Sequence, residues 1–235
     1  MPRLKEENNE LLLQIAAQMK PLGWQYTKTG TVFKKQVCKA VTLQVNPKFF
    51  YTCGGLVASS QPQLYLRSRT FEIQASRIYN LKTQGPCLLS LNRAPATLPG
   101  FSECFESKFT GKRVQFLQVE EPELGFTSDK GYFENDALPS FIRYLLAFSD
   151  HFLIRYKHDN ELDVLRAMPQ TFSYDGPYGA IRLGQVVPFA LTQLLAGRSD
   201  VLETLRSTTH LKLNPTEDRL LSKLEDMANG VVEIG

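Results

Sequence analysis

Apolar residues recur along this chain at two different periods, and the period changes near its middle. Leu4, Leu11, Leu12, Ile15 and Met19 repeat at helical spacing, while Glu6, Glu7, Asn9 and Glu10 take the opposite side. This predicts a helix over residues 4–20, with acids in the early turns where the helix dipole favours them, and Pro21 and Gly23 ending it. Residues 24–28 and 31–35 then predict a hairpin around Thr29 and Gly30. From Val37 the odd positions Val37, Lys39, Val41, Leu43 and Val45 predict one strand with a single buried face, broken at Asn46-Pro47. A further strand is expected over 49–53, with Gly54-Gly55 as a bend or bulge. Over 63–67 the apolar residues Leu64 and Leu66 are even, whereas Phe71, Ile73 and Ala75 are odd. A one-residue slip moves side chains to the other face of a strand, so this parity change predicts a turn or bulge at 68–70 within a succession of strands reaching residue 79.

Residues 84–100 hold Gly85, Pro86, Pro95, Pro99 and Gly100 and form the best candidate boundary. Short strands are expected at 103–109 and 113–119, followed by an acidic connection over 120–131. Beyond it the pattern becomes helical. Asn135 or Asp136 can cap a helix with Pro139 in its first turn, and Phe141, Leu145, Phe148, Phe152 and Tyr156 form its apolar stripe. Leu162, Leu165 and Met168 predict a short helix ended by Pro169, and 172–184 is turn-rich. Three helices close the chain, over 188–196, 201–210 and 215–229; the last opens with the capping pattern Asn214…Glu217 and stops at Gly230. The expected fold is α+β: an N-terminal helix packed on an antiparallel sheet, followed by a mainly helical C-terminal half. The expected organisation is 1–93 and 94–235, as two domains or as one continuous domain.

Charge changes this picture. The 235 residues carry a net charge of only +3, but residues 20–93 hold eleven Lys or Arg against one acid, Glu72. Residues 1–93 sum to +9 and residues 94–235 to −6. Such asymmetry points to an anionic partner for the basic part. The simpler reading is that the halves answer each other's charge or that surface lysines keep the protein soluble. Apolar runs fall far short of the roughly 20 residues of a membrane span, and Glu6, Glu7 and Glu10 interrupt any signal-peptide core. No membrane association and a cytoplasmic location are expected. Cys38, Cys53, Cys87 and Cys104 match no zinc or redox spacing and are expected to be reduced, structural thiols.

Catalytic and cofactor signatures are weak. Gly54-Gly55 and Gly176, Gly179 and Gly184 lack a phosphate-loop context. His151 and His158 stand about 10.5 Å apart along a helix, too far to share one metal ion with ease, and His210 is the only other histidine. Phe101-Ser102-Glu103-Cys104 carries no nucleophile motif, and no Gly-x-Ser-x-Gly element occurs. No metal, cofactor or catalytic residue is therefore assigned. The candidate partner-binding residues are Trp24, Tyr26, Lys28, Lys34, Lys35, Lys39, Lys48, Tyr51, Arg67, Arg69 and Arg77, cations interleaved with aromatics on the expected sheet. Basic side chains neutralise phosphates and rings can stack on bases, although strands favour aromatics for packing alone. The same charges suit an acidic protein surface without any stacking.

The run from Leu11-Leu12-Leu13 to Lys20-Pro21-Leu22-Gly23-Trp24, then Thr31-Val32-Phe33-Lys34-Lys35, resembles small bacterial domains of uncertain function. In those a helix ends in a glycine and an aromatic and leads into an antiparallel meander; some are of immunity or antitoxin type. Leu191-Thr192-Gln193-Leu194-Leu195-Ala196-Gly197, followed by residues 200–205, is similar to the helical-pair tails some of them carry. The basic sheet departs from that pattern, because immunity proteins that mimic nucleic acid are usually acidic. The resulting expectation is a non-enzymatic protein that sequesters or scaffolds a macromolecular partner through a basic sheet face. A nucleic-acid-binding protein using the same face is the first alternative, and a hydrolase-type enzyme with a site assembled from distant residues is the second. The partner is an acidic protein surface or nucleic acid; the sequence assigns no oligomeric state.

Overall fold

The computed structural model describes residues 2–29, 31–47, 49–52, 55–58, 62–81, 87–91, 99, 138–170, 186–208, 211 and 213–229. The architecture is α+β, with an N-terminal helix, an antiparallel sheet and a mainly helical C-terminal half. Helix α1 spans Pro2–Met19, strands β1 to β6 span Gln25–Thr27, Val32–Cys38, Val41–Asn46, Phe49–Thr52, Gly55–Ala58 and Gln63–Ser68, and α2 spans Arg69–Tyr79. Strand β7 is Leu89–Leu91, and the remaining helices are α3 Leu138–Tyr156, α4 Glu161–Arg166, α5 Val186–Leu195, α6 Val201–Ser207 and α7 Pro215–Ala228. One sheet runs in the order β1-β2-β3-β6-β7, and β4 and β5 form a separate two-stranded ribbon. The expected strands at 103–109 and 113–119, the cap at Asn135 or Asp136 and the loop at 172–184 lie outside the described residues.

The chain divides into two compact units: 1–36, 43–64 and 91–155 form the first, and 37–42, 65–90 and 156–235 the second. In the first, α1 buries Leu11, Leu12, Ile15 and Met19 of the predicted stripe, and the side chain of Leu4 lies outside the description. A 3-10 turn over Lys20–Leu22 ends at Gly23, whose φ of 85° lies in the left-handed region that glycine enters without a Cβ penalty. Its N–H donates to the Lys20 carbonyl at 3.0 Å, and the Trp24 N–H donates to the Met19 carbonyl at 3.3 Å, which delivers the chain into β1. Strands β1 and β2 pair antiparallel with Gln25 opposite Lys34, Tyr26 opposite Phe33 and Thr27 opposite Val32. Thr31 sits at the turn with φ of 54°. Helix α3 buries all five residues of its stripe, Phe141, Leu145, Phe148, Phe152 and Tyr156. The Phe141 ring lies 5.8 Å from Phe49 and 6.4 Å from Tyr144, separations typical of favourable ring pairs.

Two expectations from the first half require correction. The single strand through Val37, Lys39, Val41, Leu43 and Val45 is two strands, because the chain turns at Lys39-Ala40 between β2 and β3. The succession of strands to residue 79 ends at Ser68, and Arg69–Tyr79 is a helix. Phe71, Ala75 and Ile78 are its buried residues, at spacings of four and three, whereas Ile73 is 45% exposed. The odd-position run was half of a helical stripe, which three residues cannot distinguish from strand alternation.

Local chemistry explains why the strand stops there. Ser68 has extended φ and ψ and its hydroxyl accepts from the Phe71 N–H at 3.1 Å, a helix N-cap. The Ser68 hydroxyl donates to the Glu161 carboxylate, which also accepts from the Thr70 N–H at 3.2 Å and the Thr70 hydroxyl at 2.7 Å. A carboxylate thus sits on the positive end of α2, where free N–H groups and the dipole favour an anion. Glu161 itself begins α4, capped by Asn160, whose side chain accepts from the Asp163 N–H at 2.9 Å. In the same unit, α7 opens with the predicted capping box: Asn214 accepts from the Glu217 N–H at 2.9 Å, and Glu217 accepts from the Asn214 N–H at 3.0 Å. The Arg206 guanidinium of α6 binds Asp218 at 2.8 Å and Ser222 at 3.1 Å, and also Glu225, tying α6 to α7.

Ser68→Ala and Glu161→Ala are each expected to lower stability by about 1–3 kcal/mol, through loss of a cap and of charge-assisted hydrogen bonds. Because the Ser68–Glu161 hydrogen bond is lost in each single variant, the double variant should lose less than the sum of the singles. Urea unfolding of the four proteins in that cycle measures this; strict additivity would contradict the shared network.

Candidate partner-binding surface

The hairpin of the first unit sorts its candidate residues onto two faces. Tyr26 pairs with Phe33, and their rings lie 5.1 Å apart. Phe33 is fully buried and Trp24 is 2% exposed, so this face packs inward. Lys35 shares it: its ammonium stands 5.7 Å from the centroid of the Trp24 ring, a cation-π arrangement that fixes a half-buried lysine. Lys34 pairs with Gln25 and points to the opposite face. Lys28 is exposed in the turn that follows β1. Tyr51 lies in β4 opposite Leu56, and Lys48 lies outside the described residues. Lys34 and Lys35, adjacent in sequence, therefore cannot present their charges on one sheet face.

In the second unit, Lys39, Arg69 and Arg77 are exposed, but only Arg67 is in a strand. Arg67 is largely withdrawn from solvent, at 15% side-chain exposure, and its Nε lies 2.6 Å from Glu72. The one acid of the basic stretch is thus engaged within the molecule. The Arg69 N–H donates to the Ala40 carbonyl at 3.0 Å, which sets the turn carrying Lys39 against the start of α2. Along α2, Arg69, Ile73 and Arg77 follow at intervals of four and so lie on one face, about 12 Å from end to end. The structure thus sets Arg69 and Arg77 on either side of exposed Ile73 on one helix face, with the Lys39 turn held at the Arg69 end. The alternation of Phe71, Ile73 and Ala75 hides Ile73 as a surface residue, because on a strand all three share one face. The overlooked signal was Ser68 as a cap, followed by apolar residues at 71, 75 and 78.

The second unit also holds a group of titratable side chains around Arg67. Burial pushes the Cys87 thiol up to about 11, with nearby Arg67 pulling the other way. The Tyr65 phenol is raised, first by burial and then by Cys87, and is lowered in part by Arg67. Cys38 and Cys87 are both free thiols. A raised thiol is a poor nucleophile at neutral pH, since the thiolate is the reactive form. Among the described residues, no group of three or more His, Cys, Asp or Glu side chains is placed to hold a metal ion. No helix among them is long and apolar enough to cross a membrane.

Comparison of the chain with protein families, curated proteins and solved structures finds no significant match.

The raised Cys87 thiol has a pH consequence. Above its ordinary value near 9 the unfolded chain ionises while the folded chain keeps the proton, so the native state binds more protons and stability falls as pH rises. Stability is therefore expected to decline between pH 9 and pH 11, by at most about 1.4 kcal/mol per pH unit from this one group, and less steeply in Cys87→Ala. Urea unfolding across that range checks it, and identical alkaline limbs would contradict it.

Proposed function

We propose that this chain is a non-enzymatic binding protein of the cytoplasm, of the sequestering kind found among immunity and antitoxin proteins. It engages an acidic protein surface through cations of the basic stretch. The observation that carries the reading is exposed Ile73 between exposed Arg69 and Arg77 on one helix face, beside the exposed Lys39 turn, in a stretch of eleven cations and one acid. An apolar centre rimmed by charge is the usual anatomy of a protein interface. Long-range attraction to an acidic partner speeds encounter, and the central isoleucine supplies contact area that desolvates on docking.

Protein is preferred to nucleic acid for a specific reason. Sequence-tolerant binding of single strands uses exposed rings on which bases stack, whereas Trp24 and Phe33 are buried and the Trp24 face is covered by Lys35. Neither of those two rings is open to a stacked base.

Recovery of a partner from the source cell by the full chain is expected to fall at least about tenfold for Lys39→Glu/Arg69→Glu/Arg77→Glu, a loss of about 1.4 kcal/mol or more. Lys34→Glu/Lys35→Glu should have the smaller effect. Equal recovery by the triple variant and the unaltered protein would overturn the assignment. Affinity for single-stranded nucleic acid at low salt should be weak; tight binding that weakens steeply with added salt would favour the nucleic-acid reading instead.

A further inference from the structure

We draw no further inference here: the strongest candidate, the cleft walled by α2, α5 and α7 and lined by Leu191, Leu194, Leu195, Leu224 and Met227, is an aliphatic groove for which nothing in the structure shows what covers it.

Discussion

A single carboxylate sets the course of the chain in its second unit. Glu161 accepts hydrogen bonds from the Ser68 hydroxyl, the Thr70 hydroxyl and the Thr70 N–H, and so occupies the positive end of the helix Arg69–Tyr79. Ser68 is fully buried and caps the same helix through the Phe71 N–H. A strand that would otherwise continue past Ser68 is converted there into a helix, because the cap and the anion satisfy N–H groups that a strand would offer to a neighbour. Everything that gives this region a functional reading follows from that switch. It turns Phe71, Ala75 and Ile78 inward and sets Arg69, Ile73 and Arg77 outward.

Elements whose signals lie close together in the sequence were the more legible part. The stripes of α1 and α3 emerged from spacing alone, and the turns at Gly23 and Gly197 adopt the left-handed φ that glycine permits, 85° and 94°. The Asn214–Glu217 box was visible because its residues sit at fixed separations in the sequence and act only on one another. The hairpin of β1 and β2 was legible for the same reason: two short runs separated by a turn define their own register. What failed was local ambiguity. Three apolar residues at alternate positions, Phe71, Ile73 and Ala75, fit a strand, and the capping serine carried less weight than the alternation. The partner that stabilises the cap, Glu161, lies over ninety positions away in sequence, beyond the reach of any local pattern.

The candidate surface was legible in composition and not in geometry. Net charge is a sum and survives any fold, so the excess of cations over 20–93 was secure. Which cations share a face depends on strand pleat and helix pitch. Lys34 and Lys35 separate onto opposite faces of β2, while the Lys39 turn, distant in sequence, is held against the start of the helix that carries Arg69 and Arg77. Arg67 is claimed by Glu72, and Trp24 and Phe33 serve the core. The aromatic and basic residues that looked like one mixed surface are thus two populations, one packing and one displayed.

The central claim is that the outer face of α2 meets an acidic partner. Hydroxyl-radical footprinting of the chain, alone and in the complex recovered from the source cell, tests it at a single side chain. Ile73, exposed in the free protein, should be oxidised readily alone and protected in the complex, while exposed Leu13 of α1 should react equally in both. Equal oxidation of Ile73 with and without the partner would contradict the account.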